Sequence, residues 1–146
     1  VAVTVERVVG EPEPLSPGCF RVRSSVVASI DRARTKELVT TDSVEPRVPG
    51  PGEATVELLD WKSVDGRVWL LTMEAGEVLA RVVDPADDWR EVAKSAPIVT
   101  VFAFAPIQGA ELTALKRDAA TVVVTDVHKS PTTFQLRLDD GVLGVR

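Results

Sequence analysis

With 146 residues and 15.7 kDa the chain has the length of one domain, and its 45% hydrophobic and 27% charged residues place it far from disordered compositions. A formal net charge of -5 disfavours nucleic acid, whose non-specific binding depends on Lys and Arg neutralising phosphates, and disfavours acidic substrates too. One histidine (His128), one cysteine (Cys19) and no tyrosine or asparagine exclude a zinc finger and any zinc site built from several Cys and His ligands of one chain.

No window approaches the ~18 apolar residues of a membrane span, and Val1-Ala2-Val3-Thr4-Val5-Glu6-Arg7 lacks the basic start and apolar run of a signal peptide. A cytoplasmic protein is expected. The lone cysteine agrees with a reducing compartment. Valine in excess of isoleucine, arginine in excess of lysine and the missing asparagine point to a GC-rich bacterial or phage genome.

Along the chain, Val1 to Val9 reads as a strand, and Gly10 to Gly18, with Pro12, Pro14 and Pro17, as an irregular loop. Phe20 to Ile30 is a second strand. Thr40 to Gly52, with Pro46, Pro49, Gly50, Pro51 and Gly52, is a second Pro/Gly-rich loop within a single domain spanning the whole chain. Ala54 to Val83 predicts a three-stranded antiparallel meander, with turns at Asp65-Gly66 and at Glu74-Ala75-Gly76-Glu77. Its middle strand is apolar in both alternating sets, Val68/Leu70 and Trp69/Leu71/Met73, which predicts cover on both faces.

Asp84 to Lys94 carries helix-start signals: Asp84 to cap, Pro85 at the first position, Asp87 and Asp88 on the positive end of the dipole. Trp89, Val92 and Ala93 would then form one apolar stripe. Ile98 to Phe104 reads as a central strand, Glu111 to Arg117 as a short helix and Thr121 to Val127 as a strand. Thr133 to Leu138, Asp139-Asp140-Gly141 and Val142 to Val145 form a closing hairpin. The expected fold class is therefore α+β: a mostly antiparallel twisted sheet or partly closed β-barrel with one or two short packing helices.

Asp126, His128 and Ser130 alternate at a strand exit and supply a carboxylate, an imidazole and a hydroxyl, although neighbouring positions on one strand fit triad geometry poorly. The acids Asp84, Asp87, Asp88 and Glu91 fall on one side of the expected helix and have oxygens enough for magnesium or calcium, but capping and the dipole explain those of the first turn, and no metal site is expected. Arg21 and Arg23 share a strand face within the basic stretch Cys19 to Lys36, which reads as a solvated face or as a partner or phosphate contact. Trp61 and Trp69 flank the Asp65-Gly66 turn and read as core, or as a ligand wall or interface anchor. No dinucleotide fingerprint, phosphate-binding loop or nucleophile elbow is present, and no cofactor is called for.

The leading functional expectation is a non-catalytic interaction module, an accessory subunit, inhibitor or assembly component with a protein partner or a homo-oligomeric state. The alternative is a small-molecule or cofactor-binding β-barrel, with Trp61, Trp69 and Phe134 lining a cavity and Arg21 and Arg23 holding an anionic group. A third reading is a small enzyme using carboxylates or Asp126 and His128.

Overall fold

The computed structural model describes residues 3–32, 34–46, 56–100 and 107–146. Over these residues the chain is nearly all β, and no sheet closes into a barrel. It divides into two compact units, Val1–Leu58 and Leu59–Arg146.

The first unit is one antiparallel sheet built around β3 (Cys19–Ile30). β1 (Val3–Val9) and β2 (Glu13–Ser16) lie end to end along one edge of β3, and β4 (Arg34–Glu45) runs along the other. The Gly10 N–H donates to the Arg23 carbonyl at 2.8 Å, carrying the ladder from β1 toward β2. Two strands thus occupy stretches that composition marks as loops. Pro14 is tolerated because β2 is an edge strand. β4 runs on to Glu45, since Thr40 to Val44 is rich in β-branched residues and pairs in unbroken register with Arg21 to Ser25, and residues 47–52 of the expected second loop lie outside the described residues. Val22, Val26, Ala28 and Val39 are buried on one face, while Arg21 and Arg23 are exposed on the other.

The second unit holds two sheets. One contains β5 (Val56–Val64, which begins before the boundary), β6 (Arg67–Glu74), β7 (Glu77–Asp84) and β8 (Arg90–Lys94), with β9 (Val99–Thr100) beside β7. The other contains β10 (Ile107–Thr113), β11 (Ala119–Asp126), β12 (Pro131–Asp139) and β13 (Val142–Val145). Alternate side chains of both sheets meet in one core: Trp69 and Leu71, Val78, Ala80 and Val82 from the first; Leu112, Val122, Val124, Leu136 and Leu143 from the second. Each buried valine or leucine among them contributes roughly 1.5–3 kcal/mol. The tight turns at Asp65-Gly66 and Asp140-Gly141 are as predicted, with both residues at positive φ (48° and 77°; 50° and 75°), the geometry that matches strand twist. β6 is buried on both faces, with Val68, Trp69, Leu70 and Leu71 all fully inaccessible.

The α+β expectation is corrected: the described residues contain no α-helix. At 84–94 the cap forms, with the Asp84 carboxylate accepting the Ala86 N–H at 3.0 Å, but it starts only a single 3-10 turn, Pro85–Asp87. Asp88 and Trp89 then take φ values of 52° and 60°, which end helical geometry, and the chain turns into β8. The edge of β7 needs backbone partners, and β8 meets that need through pairs such as Arg81 with Lys94. Ala93 and Ser95 face inward while Arg90 and Lys94 face water, a period of two. At 111–117, Glu111 to Thr113 instead pair with Thr121 to Val123, and Ala114 at φ 47° ends the strand. Of the central strand expected at 98–104, only Val99–Thr100 is a strand among the described residues, paired with β7 alone rather than between two neighbours, and residues 101–104 lie outside them.

Ala75, with φ 49° in the turn between β6 and β7, is a non-glycine residue in the left-handed region. Ala75→Asn should raise stability by about 0.5–1 kcal/mol, because asparagine tolerates that region better, read as a higher urea midpoint at unchanged slope.

Candidate functional site

In the second unit, the sheet edges that would otherwise be left open meet at two seams. At one, Ser95, the residue after β8, makes a single parallel bridge to Leu143 of β13. At the other, β5 holds β10 by side chains. The Asp60 carboxylate accepts the Leu112 N–H at 2.8 Å, and Lys62 Nζ donates to the Leu112 carbonyl. Asp60 and Lys62 stand two residues apart on one strand, so together they supply the acceptor and donor that a neighbouring strand's backbone would offer. Lys62 also lies 3.7 Å from Asp60 and 3.5 Å from Glu111.

A charged cluster sits on β6 and β7. Arg81 has a side chain only 7% exposed and donates to Glu74 (2.6 and 3.2 Å), Thr72 Oγ1 (3.0 Å) and Glu91 (3.1 Å). Thr72 also donates to Glu74 at 2.8 Å. Burial acts to raise the Glu74 carboxyl, but the hydrogen bonds from Arg81 and Thr72 and the charges of Arg81 and Lys94 outweigh it and hold it below its ordinary 4.5. Every arm of the guanidinium is engaged, as a buried charge requires. The signal for this cluster was an arginine amid the apolar run Val78-Leu79-Ala80-Arg81-Val82-Val83.

The residues singled out from sequence are placed as follows. The Asp126 carboxylate accepts the backbone N–H groups of His128 (2.8 Å) and Ser130 (2.9 Å), forming the turn between β11 and β12. It therefore serves the backbone rather than the imidazole, and His128 and Ser130 are exposed. Trp69 lies in the core, Phe134 packs half-buried against it, and Trp61 is half-buried on β5. The closed barrel that would have made a cavity of these aromatics is not formed. Trp69 Nε1 is buried without a partner among the described residues.

Arg21 and Arg23 belong to the exposed face of the first sheet. Arg23 donates to Glu37 at 2.9 Å. Hydrogen bonds to Glu37 from Arg23, and then from Thr40, hold that carboxyl below its usual value, and the same pairing raises Arg23. Arg21 stands opposite Glu13 on β2 and Val44 on β4.

The strand beside these arginines carries the most distinctive surface. Because the Arg23 carbonyl accepts from Gly10, the Arg23 backbone faces β1 and β2; Arg21 and Ser25 share that sense, since the pattern alternates along a strand. Their partners Val44, Asp42 and Thr40 therefore direct their N–H and C=O groups away from β3. Leu38 is an extra residue in β4, since Val26 pairs with Val39 and Val27 with Glu37, so Glu37 also faces outward. Among the described residues β4 pairs with β3 alone, leaving this row open along a 12-residue strand. Val44 beside it is 60% exposed. Sequence reading missed Thr40, Asp42 and Val44 because the nearby Pro/Gly cluster drew the loop boundary too early.

Arg81→Ala should cost about 3–5 kcal/mol because it strands Glu74. The Glu74 contribution is fully present above about pH 4.5 and is lost as pH falls through the depressed folded value, so Glu74→Gln should flatten that acid limb in urea titrations between about pH 3 and 7. At the seam, Asp60→Ala should cost about 1–2 kcal/mol and speed amide exchange at Leu112, with Asp60→Ala and Lys62→Ala together costing less than their sum.

No helix among the described residues is long and apolar enough to cross a membrane. Comparison of the chain with protein-family models, curated proteins and solved structures finds no match.

Proposed function

We propose that this chain is a protein-interaction module of bacterial or phage origin, working in the cytoplasm and docking an extended segment on the outer edge of β4. The observation that carries this reading is the outward row of backbone groups at Glu37, Thr40, Asp42 and Val44 on the 12-residue β4, which pairs with β3 alone among the described residues. Natural proteins usually blunt such edges with prolines, bulges or charges. The opposite edge, along β1 and β2, follows that practice with Pro12, Pro14 and a register shift between Pro14 and Ser16. β4 carries its own bulge at Leu38 and the charges of Glu37, Asp42 and Glu45, but Val39 to Glu45, beyond the bulge, contains no proline and no lysine. Strand addition uses main-chain hydrogen bonds for affinity and alternate side chains for specificity. The exposed Arg21, Arg23, Asp42 and Val44 would be the side chains that select the partner.

Val44→Pro removes an outward N–H without touching the β3 ladder, a substitution that edge strands accept. Cross-linking in a lysate of the native host should capture a partner with the unaltered chain and lose it with Val44→Pro, while His128→Ala has no effect. Capture that survives Val44→Pro would sink the edge reading, and an activity lost with His128→Ala would favour the enzyme.

A further inference from the structure

We infer that the strand added to β4 is β4 of a second copy of this chain, antiparallel about a two-fold axis at Thr41, joining the two first-unit sheets into one. This rests on the interaction reading above and names its partner. An isologous contact requires one strand to be complementary to itself reversed. Outward-facing residues must oppose outward-facing residues for the ladder to form, which leaves few registers.

Centring the pair on Asp42 sets that carboxylate against its own copy. Centring it on Thr40 sets Asp42 against Glu37 once the extra residue Leu38 is counted. Both oppose like charges, which destabilises a strand pair. Centring it on Val39 brings the two Leu38 bulges side by side and breaks the ladder at its middle. The register centred on Thr41 avoids all three faults. Thr40 then lies opposite Asp42 of the second copy, and Val44 lies over the aliphatic stem of Glu37. On the other face Lys36 approaches Glu45, an opposite-charge pair. Along β4, Lys36 and Glu37 stand near the start and Asp42 and Glu45 near the end, and reversing the strand in this register sets Lys36 against Glu45 while keeping Glu37 opposite Val44 and away from a directly facing acid.

The contact is one strand pair and so lies at the weak end of protein interfaces. Sedimentation equilibrium from ~1 µM to ~1 mM should show a monomer–dimer equilibrium, with amide exchange at Glu37, Thr40, Asp42 and Val44 slowing as concentration rises. Val44→Pro should abolish the dimer. Thr40→Asp, which faces Asp42 of the copy twice per dimer, should weaken it about fivefold to tenfold, and Thr40→Lys should tighten it several-fold, a signed pair that survives even if the proline variant fails to fold. A chain that stays monomeric throughout overturns the inference. So does a dimer indifferent to these substitutions, or one that responds alike to Asp and Lys at position 40. If the chain is monomeric yet loses capture of a different protein with Val44→Pro, the second copy is wrong while the interaction reading stands.

Discussion

Every strand edge in an all-β chain presents backbone donors and acceptors that must meet a partner or face water, and this molecule is organised by how each edge is treated. In the second unit the outer strand β10 is met by the side chains of Asp60 and Lys62, which take the N–H and carbonyl of Leu112 in place of another strand. At the opposite seam Ser95, the residue after β8, and Leu143 of β13 share one bridge. These contacts bring two four-to-five-stranded sheets face to face without a continuous ladder, and the core of Trp69, Leu71, Val122 and Leu136 lies between them. The first unit treats its edges unequally, with proline and irregularity on one side and, among the described residues, an unpaired outward row on the other.

Polar groups inside the second unit follow the same rule of complete pairing. Arg81 is nearly enclosed, and its hydrogen bonds reach Thr72, Glu74 and Glu91 from three strand positions and both neighbouring strands. Such a cluster ties β6, β7 and β8 into one register, because a slip by one residue would send Arg81 to the other face and leave its charge unpaired. Specific strand pairing in this sheet therefore has an electrostatic component as well as a hydrophobic one.

Much of this was legible in the residues. Asp65-Gly66 and Asp140-Gly141 announce tight hairpins because both positions must adopt positive φ, and Val68 to Leu71 announces a strand covered on both faces. The helix expected after Asp84 shows why local signals can mislead. A cap and a proline specify how a helical turn begins, and a 3-10 turn begins the same way. The chain's continuation was decided by the unpaired edge of β7, a feature distant in sequence. The open row on β4 was hidden for a related reason: facing is set by the Gly10 contact to Arg23 on a neighbouring strand, and no residue of β4 reports it.

The sequence by itself determined a mainly β chain, the tight turns and the exclusion of a zinc finger, since valine stiffness, Asp-Gly pairs and the count of histidine and cysteine are local properties. Only the tertiary structure decided that Asp84 to Lys94 would end as a strand. It also decided that Asp126 would bind its own turn, that Arg81 would find Glu74, and that Thr40, Asp42 and Val44 would turn their backbones outward. Each of these depends on which strand lies beside which and in what register, and pairing across the chain is a property of the assembled sheet.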